Sequence, residues 1–554
     1  MTEPHNSKPF LWALFLVFSV LWFYGLDLRS LVPTDEGRYA EMAREMVATG
    51  DWVTTRLNGV KYFEKPPLQI WMTALTFELF GLGEWQARFW TGLCGMLGIV
   101  LTALAGTKVF NPRVGFYAGL TLASCFYWAS MGHINSLDMG LSGMMTAALC
   151  ALLIAQRDDA TAKERRNWML LCWAGMALAV LSKGLIGVVL PGAVLVLYTV
   201  LTRDWAIWKR LHVGKGLLTF FAITTPWFVL VSLKNPEFAH FFFIHEHFER
   251  FLTKTHRREG PWHYFIPMLL VGIVPWLGML AQSLWQSWRP SLEVAQPVFQ
   301  AKKLLLIWAG FIFFFFSYSG SKLPSYILPI FPALALLVAA YMENATRKGM
   351  MLGAALVALL GALGLAFGSR LPAVASDAHD HTLYLAYLPW VLAAAAALLV
   401  GGVIGLWYAR RLQRDLIVLA LALAGFAGSY LMQLGFEPFG YDRSGKSLVP
   451  ATLAELTPQT KIYAVGMYDQ TLPFYLQRTT TLVAHRDELD FGLANDPSLW
   501  IENVDDFFKL WRDGPKALAI IRPGSYLEFQ GKGLPMRLIA QDLRRVIITN
   551  DLKK

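Results

Sequence analysis

Long apolar runs constrain what this chain can fold into more than any other feature of its sequence. The first run covers residues 10–26, and further runs follow up to residue 434. A helix needs roughly 20 mainly apolar residues to cross a bilayer, so runs of this kind predict membrane-spanning helices. Only 16% of the residues are charged, against roughly 25% in an ordinary soluble domain. We therefore expect an α-helical polytopic membrane protein.

About thirteen spans are predicted, and the first is expected to stay uncleaved because no small-residue cleavage site follows it. The predicted spans cover residues 10–26, 85–107, 114–130, 140–155, 168–181, 185–201, 216–233, 265–284, 304–318, 325–341, 350–368, 383–407 and 416–434.

The charge of the connections between the spans predicts the orientation. Together with Lys8, the connections on one side carry 19 lysine and arginine residues. The short connections on the other side carry three, which are Lys183, Lys322 and Arg370. Because basic residues in short loops mark the cytoplasmic side, we expect a cytoplasmic amino terminus and a carboxyl terminus outside.

Three outer segments are too long and too polar to be turns, and long loops are usually functional. They cover residues 27–84, 234–263 and 441–554. In the first, residues 36–49 space apolar side chains on one helical face, and a second helix is expected to begin after Lys65-Pro66-Pro67; both are predicted to lie along the interface. The tail contains the strand-like strings KIYAVGMY, TTTLVA, ALAIIR and RLIAQ and a helical string at residues 504–511, which predict a small α/β domain.

The predicted organisation is thus a transmembrane catalytic domain at residues 1–440 and a soluble α/β domain at residues 441–554. The net charge is +10, yet the tail carries 15 basic and 14 acidic residues, so the excess belongs to the membrane part. This distribution fits anionic lipid or phosphate better than nucleic acid, and we expect no nucleic-acid partner. The four cysteines all lie in apolar runs and predict no disulfide or zinc site.

Carboxylates next to predicted spans are the first candidates for chemistry, because charges at a membrane boundary are costly to keep. Asp35 and Glu36 follow span 1 as an acidic pair, and Asp138 lies between spans 3 and 4. The alternative interpretation of both positions is a cap that satisfies the free amides at a helix start.

Cations and phenols on the same predicted face are candidates for binding phosphate. The string from Tyr62 to Lys65 contains two aromatic side chains, the carboxylate of Glu64 and the ammonium of Lys65. The string SGSKLPSY contributes Lys322 and Tyr326.

The loop from residue 240 holds a cluster of histidines and basic residues that includes His245, His247 and Arg250. Its alternative interpretation is a solvated basic face that meets anionic headgroups. A divalent cation held by Glu64 with His245 or His247 is chemically feasible, but the spacing is unspecific and we assign no cofactor.

Three strings in order carry a resemblance to a known family. They are PTDEGRYAEMA at residues 33–43, FEKPP at residues 63–67 and SKLPSYILP at residues 321–329. With the span pattern and the outer tail, they resemble type C glycosyltransferases that use polyprenyl-phosphate sugars. More narrowly, they are similar to the bacterial inner-membrane lipid A aminoarabinose transferases, relatives of protein O-mannosyltransferases.

This resemblance implies inverting transfer of 4-amino-4-deoxy-L-arabinose from undecaprenyl phosphate to lipid A phosphates at the periplasmic face, with resistance to polymyxin. No protein partner is implied. Asp35 would orient the reactants and stabilise positive charge at the sugar carbon, with Asp138 and Glu36 as further catalytic candidates. The substrate and phosphate contacts would come from Lys65 and Arg250 first, and then from Arg38, Tyr62, Lys322 and Tyr326.

Two other functions stay open at this point. A protein hydroxyl could be the acceptor, as in protein O-mannosyltransferases, and Asp35 would then act as a general base. A transporter of a lipid-linked substrate ranks lower, because transporters usually place their binding groups near the bilayer midplane.

Overall fold

The computed structural model describes residues 7–249, 260–289 and 299–553, and the side chains of residues 245–249 lie outside that description. Each predicted apolar run coincides with a helix or a pair of helices, because backbone in hydrocarbon must satisfy its own hydrogen bonds. The helices up to residue 435 are α1 Lys8–Tyr24, α2 Asp35–Thr49, α3 Leu68–Phe80, α4 Glu84–Val109, α5 Pro112–Ser124, α6 Phe126–Met131, α7 Leu137–Ala155, α8 Ala162–Lys183, α9 Ile186–Thr202, α10 Val213–Lys234, α11 Phe265–Gly272, α12 Leu277–Trp288, α13 Ala301–Tyr318, α14 Phe331–Asn344, α15 Arg347–Gly368, α16 Ala378–Ala409 and α17 Arg414–Leu434.

The multi-span helical architecture is confirmed. Within the ranges that the structure describes, nine helical segments are long and apolar enough to cross a membrane, and the bent pair α11 and α12 makes a tenth. The other three predicted runs differ for local reasons. The run at residues 114–130 is broken at Cys125, α9 has only 17 residues, and α8 begins with a charged turn. The count of thirteen stays a prediction.

The predicted span at residues 265–284 is not one straight helix. α11 and α12 meet at 108°. Pro275 lies in the break, where its ring removes a backbone donor and prevents a helix from continuing. The indole of Trp276 donates a hydrogen bond of 3.0 Å to the hydroxyl of Ser124, which anchors the corner.

α7 is an interior helix that is buried along its whole length. A Cβ atom at Gly143 would lie 2.8 Å from the carbonyl oxygen of Cys94 on α4, and one at Gly175 on α8 would lie 2.8 Å from the amide of Ala148. Membrane helices pack closely where such small residues meet. The first turn of this interior helix carries Asp138.

The chain divides into two compact units. The helical unit comprises Met1–Leu26, Phe89–Val229 and Phe243–Gly435. The second unit, which we call the loop–tail unit, comprises Asp27–Arg88, Leu230–Phe242 and Phe436–Lys554. Residues of both long predicted outer loops therefore cluster with the tail.

The loop–tail unit contains a short hairpin in the first loop and a mixed sheet in the tail. The hairpin pairs β1 with β2, and the four predicted tail strands are confirmed as β3, β4, β6 and β7. The strands β5 and β8 were not predicted from the sequence. The bounds are β1 Arg56–Leu57, β2 Val60–Lys61, β3 Lys461–Val465, β4 Thr481–Val483, β5 Trp500–Ile501, β6 Ala517–Ile521, β7 Arg537–Gln541, β8 Val546–Thr549, α18 Glu437–Ser444, α19 Val449–Glu455, α20 Leu472–Leu476, α21 Asp490–Asn495, α22 Val504–Asp513 and α23 Pro523–Gly531.

The six strands of the tail lie in the order β5-β4-β3-β6-β8-β7. The pairs β5–β4, β4–β3 and β3–β6 are parallel, whereas β6–β8 and β8–β7 are antiparallel. Alternate residues of β3 face opposite sides. Tyr463 packs with Phe507 and Trp511 of α22, and Ile462 packs with the apolar side chains of α20. Helices thus cover both faces of the sheet.

The predicted amphipathic helix exists as α2, but its polar side chains are not turned to solvent. Glu41, Arg44 and Glu45 are all buried. A Cβ atom at Gly37 would lie 2.3 Å from the carbonyl oxygen of Gln470, so the tail packs directly on this helix. Burial and the charge of Glu41 raise the pKa of Glu45 to about 8. The tail thus covers the polar side of α2, which helical periodicity did not predict, and the position of α2 along the membrane interface stays a prediction.

Candidate functional site

Asp35 is the first residue of α2, and 40% of its side chain is exposed. Thr34 occupies the capping position, yet no side chain caps the helix start. The Oδ1 atom of Asp35 instead accepts a hydrogen bond of 3.2 Å from Arg38 Nη1. The capping interpretation is therefore not what the structure contains. Asp35 is a partly accessible carboxylate steadied by one guanidinium from the same turn.

Glu36 has a different environment, because its carboxylate is buried between two arginines. Arg29 donates to it at 2.6 and 3.0 Å, and Arg88 donates at 2.7 and 3.1 Å. The amide of Val32 also donates at 3.0 Å. Burial alone would raise the pKa of Glu36, but the two guanidinium charges outweigh it and hold the pKa well below its ordinary range. Glu36 is thus fixed as a carboxylate that ties the first loop to the start of α4.

Arg38 joins the acidic start of α2 to the tail. Its Nη2 atom lies 2.6 Å from a carboxylate oxygen of Glu488, while Nη1 contacts Asp35. Burial raises the pKa of Glu488, against the opposing charge of Arg38. Tyr62 is also buried here, and burial together with the charge of Glu64 raises the pKa of its phenol. The loop–tail unit therefore gathers Asp35, Arg38 and Tyr62 of the predicted site.

Glu64 and Lys65 are neighbours that stay partly accessible. The ammonium of Lys65 donates a hydrogen bond of 2.9 Å to the carbonyl oxygen of Glu64 and lies 3.9 Å from its carboxylate. About a fifth of each side chain is exposed, at 20% for Lys65 and 22% for Glu64. Pro66 and Pro67 follow, and α3 begins after them as predicted. This arrangement holds a cation at the surface of a rigid turn.

In the helical unit, Asp138 is paired with Lys183, a residue to which the sequence analysis gave no catalytic role. Asp138 lies in the first turn of α7 and is only 5% exposed. Lys183, the last residue of α8, donates to Oδ1 of Asp138, and Ser325 donates to Oδ2 at 2.8 Å. The ammonium of Lys183 also lies 4.6 Å from the ring centroid of Tyr326. No side chain caps α7, so the capping interpretation of Asp138 is also wrong.

Lys322 is buried in its own loop, where its ammonium donates to the main-chain carbonyls of Ser317 and Ser319. The helical unit thus brings Asp138 and Tyr326 together through Lys183, while Lys322 is mainly engaged by backbone. Arg250 lies outside the described residues, as do the side chains of His245 and His247.

The divalent cation stays a prediction. Among the side chains that the structure describes, no three histidine, cysteine, aspartate or glutamate residues converge as metal ligands. Glu64 is described, whereas the side chains of its predicted partners His245 and His247 lie outside the description.

An open cleft of about 630 Å³ lies beside the end of α2. It is lined by polar residues that include Arg44, Glu45, Arg56 and Arg478, and by none of the predicted site residues. The site assignment therefore rests on the side-chain clusters and not on this cleft.

Four residues that pair with predicted site residues were not themselves predicted from the sequence. They are Arg29, Arg88, Lys183 and Glu488. Arg88 could have been found, because it is a charged residue inside a predicted span, and such residues are usually functional or paired. Lys183 had a weaker signal as one of three basic residues in the short connections of the predicted outer face. Glu488 had none, since it is an ordinary charged residue in the tail and its partner lies in the first loop.

Two family models match separate parts of the chain. Residues 64–229 match the model of dolichyl-phosphate-mannose-protein mannosyltransferase, and residues 448–550 match the aminoarabinose transferase C-terminal domain. The first match runs from α3 into α10, and the second covers the tail sheet.

Curated relatives match over most of the chain. An undecaprenyl phosphate-alpha-4-amino-4-deoxy-L-arabinose arabinosyl transferase from Photorhabdus laumondii is 30% identical over 407 residues, which is 72% of this chain and 70% of the relative. A protein with the same description from Edwardsiella ictaluri is 29% identical over 87% of both chains.

Two solved structures match almost the entire chain. The crystal structure of ArnT from Cupriavidus metallidurans in the apo state is 41% identical, covers 98% of both chains and has a TM-score of 0.91. The structure of the same protein bound to undecaprenyl phosphate is 40% identical, covers 99% of both chains and has a TM-score of 0.93. Taken with the site geometry, these matches show that the chain belongs to the family of undecaprenyl phosphate-alpha-4-amino-4-deoxy-L-arabinose arabinosyl transferases.

Proposed function

We propose that this protein transfers 4-amino-4-deoxy-L-arabinose from undecaprenyl phosphate to phosphate groups of lipid A. The observation that carries the proposal is the similarity, over 99% of both chains, to an ArnT structure with undecaprenyl phosphate bound. The donor is an activated lipid, so the reaction needs no nucleotide. Adding a cationic sugar to a lipid phosphate lowers the negative surface charge of the membrane, which weakens binding of polymyxin and other cationic peptides.

We further propose thirteen spans in the bacterial inner membrane, with a cytoplasmic amino terminus and the active site and tail in the periplasm. The strongest support is the distribution of basic residues, with 19 on the predicted cytoplasmic side and three in the short outer connections. In this arrangement residues 1–440 form the catalytic membrane domain, residues 27–84 and 234–263 form its long outer loops, and residues 441–554 form the periplasmic domain.

The bond that forms joins an acceptor phosphate oxygen to the anomeric carbon, and the bond that breaks joins this carbon to the carrier phosphate. Attack from the face opposite the carrier gives inversion. An acceptor phosphate monoester has a second pKa of about 6, so it is already largely anionic and needs no base. Asp35 therefore acts by orienting the reactants and stabilising positive charge at the anomeric carbon. Its partial exposure and its contact with Arg38 suit a carboxylate held ready for a ligand.

The buried partner Glu36 has another role in this proposal. Both of its oxygens are occupied by guanidinium groups of Arg29 and Arg88, so it positions the start of α2 and does not contact the reacting atoms. In this proposal Asp35 takes part in the reaction, whereas Glu36 stabilises the fold.

The departing carrier phosphate gains negative charge, which fixed cations stabilise in a water-poor site. Lys65 is the first choice, because its ammonium is partly accessible and its turn is held by two prolines. Arg250 is the second choice, and Arg38, Tyr62, Lys322 and Tyr326 are further candidates. A divalent cation at Glu64 and His245 is compatible with this assignment and is not required by it.

Asp138 and Lys183 form a positioning pair in this proposal. A carboxylate that is only 5% exposed needs its cation, and Ser325 fixes the second oxygen. When the donor binds, the cationic amino group of its sugar would replace Ser325 at the second oxygen of Asp138.

The test of the transfer reaction uses the purified protein with carrier-linked aminoarabinose and lipid A. Mass spectrometry should detect lipid A that is heavier by one aminoarabinose, together with free undecaprenyl phosphate. Movement of the donor between leaflets with no modified lipid A would contradict transfer and favour transport.

A hydroxyl acceptor is the second candidate function, favoured by the match of residues 64–229 to a protein mannosyltransferase model. A hydroxyl must lose its proton, so Asp35 would act as a general base and the rate would not follow ionisation of an acceptor phosphate. With a phosphate acceptor, the rate should instead follow ionisation of the acceptor near a pKa of about 6. Initial rates against pH, with lipid A and with a serine-containing peptide, distinguish the two.

Replacing Lys65 by Gln should raise the KM for the carrier-linked donor by about tenfold, since a charge-assisted contact to its phosphate is lost. Initial rates over a range of donor concentrations measure this. Lys509→Gln, an exposed lysine on α22, is the matched control and should leave the KM unchanged. Equal donor KM values for both variants would remove Lys65 from the carrier-binding site.

Replacing Lys183 by Met should lower kcat by about 10 to 100-fold with little change in donor KM, because Asp138 loses the cation that holds it. Steady-state kinetics should give a partial recovery for Lys183→Arg. The double variant Lys183→Met with Asp138→Asn should be no slower than the worse single variant, since both act through one pair. Additive losses would mean that Lys183 acts independently of Asp138.

A further inference from the structure

The tail has the topology of a doubly wound α/β domain. The proposed transfer reaction assigns no function to this domain. From β3 the chain runs through α20 to β4, on one side of β3, and then through α21 to β5. From β5 it returns through α22 to β6, on the other side of β3. The two connections that flank β3 pack on opposite faces, α20 against Ile462 and α22 against Tyr463. The direction of winding therefore changes between β3 and β6.

In open α/β sheets, ligands bind outside the carboxyl ends of the parallel strands at such a switch point. A cavity of about 310 Å³ lies at this place in the tail. It is lined by residues that follow three neighbouring parallel strands and by one residue of the last turn. We call it the switch crevice, and its defining residues are Met467 after β3, His485 and Asp487 after β4, Arg522 and Pro523 after β6, and Arg544 before β8.

The charge of the switch crevice is basic. It has two guanidinium groups, from Arg522 and Arg544, and one carboxylate, from Asp487. Among the residues that the structure describes, neither arginine lies within ion-pair distance of a carboxylate, whereas nearby Arg545 is paired with Asp469. Two guanidinium groups against one carboxylate give the crevice a net positive charge, which suits an oxyanion because the guanidinium fork matches phosphate geometry.

The backbone around the switch crevice is also accessible to a ligand. α23 begins at Pro523, and its first free amides point out of the helix start, where anions bind favourably. No atom lies within 4 Å of the Cβ position at Gly524 or at Gly466, where φ is +69°. Two residues other than glycine, Ala484 and Asp487, have positive φ values of 51° and 40° on either side of His485. Strained backbone of this kind collects at ligand sites.

We propose that the switch crevice binds the phosphate group of a small ligand, with Arg522 and Arg544 as its charged contacts and His485 as a hydrogen-bond partner. The cavity volume is at the low end for ligand sites, which usually span about 300 to 1,000 Å³, so the bound part is a headgroup or a small phosphate ester. The phosphate belongs either to a lipid headgroup or to a soluble compound. All the defining residues lie in the tail, so binding there is independent of the transfer reaction.

The test uses the full-length protein in detergent, with Lys65→Gln as the background that weakens the proposed carrier site. Isothermal titration with inorganic phosphate should give saturable binding. The double variant Arg522→Gln with Arg544→Gln should weaken this binding by about tenfold. The matched control removes two exposed cations elsewhere in the tail, Arg512→Gln with Lys553→Gln, and should bind phosphate like the background protein.

Two further probes identify the source of the phosphate. Tighter binding of dihexanoyl phosphatidic acid than of glycerol 3-phosphate would indicate a lipid headgroup, and the reverse would indicate a soluble phosphate ester. If the double variant unfolds at a lower temperature than the control, Arg522→Lys with Arg544→Lys replaces it and should retain part of the binding. Absence of saturable binding, or equal affinity in the double variant and the control, overturns the proposal. Loss of transfer activity in any variant does not bear on it.

Discussion

Replacing Asp35 by Asn is expected to reduce transfer of aminoarabinose by about 100 to 1,000-fold while leaving the protein folded. The substitution keeps the shape of the side chain and removes its charge, so the positive charge that develops at the anomeric carbon loses its main counter-charge. The side chain is 40% exposed and makes one ion pair with Arg38, and the cost to stability should therefore be small. Two measurements check this: mass spectrometry of lipid A from producing cells, and single-turnover rates with purified protein.

Asp27→Asn is the matched control, since Asp27 is an exposed aspartate of the same loop. It should transfer the sugar at the rate of the unmodified protein. An aminoarabinose increment in the Asp35→Asn cells equal to that of the control would exclude Asp35 from the chemistry. A lowered unfolding temperature of Asp35→Asn would instead assign it a structural role.

Replacing Glu36 by Gln, in contrast to Asp35→Asn, should cause a large loss of stability. Arg29, Glu36 and Arg88 are all buried, and the neutral amide would remove the carboxylate charge that the two guanidinium groups share. Breaking a buried pair in this way costs about 3 to 5 kcal/mol. Thermal unfolding in detergent and limited proteolysis of the first loop measure the effect. Arg38→Gln, which removes a guanidinium held by the exposed Asp35 and by Glu488, should destabilise the protein less.

The same triad predicts how stability depends on pH. The pKa of Glu36 is lowered in the folded protein, so its contribution is fully present above the pKa of an unfolded glutamate, about 4.3. The contribution is then lost as pH falls below that value toward the folded pKa. The free energy of unfolding of the unmodified protein should decrease over this acidic range, and that of Glu36→Gln should decrease less. Parallel decreases would mean that Glu36 is not the group responsible.

Much of the fold followed from local patterns. Each apolar run became a helix or a helix pair because hydrocarbon forces the backbone to satisfy its own hydrogen bonds, whatever the neighbours are. The helix predicted at residues 36–49, which the structure has at Asp35–Thr49, and the four predicted strands of the tail also followed from local patterns, since alternation and helix periodicity depend on residues close in sequence. The bend at Pro275 was missed although its residue was visible, because a proline within an apolar run can either kink a helix or break it.

The different roles of Asp35 and Glu36 could not be predicted from local sequence patterns. Asp35 and Glu36 are adjacent in sequence and have the same chemistry, yet one is partly exposed and the other is buried between two arginines. Glu488 contacts Arg38, and Lys183 contacts Asp138, only because the chain returns to each of them from distant positions. The lowered pKa of Glu36 follows from its two arginine partners, so no local pattern could have assigned it.

The sequence by itself determined that most of this protein consists of membrane-spanning helices and where those helices lie in the chain. It also determined that the tail is an α/β domain and which family the motifs resemble. These properties depend on transfer free energies and spacing that act within short segments. Only the tertiary structure decided which carboxylates are paired, that the tail covers α2, and that three strand ends meet at the switch crevice. Such properties depend on distances between residues far apart in the chain, and electrostatic interactions vary steeply with distance and burial.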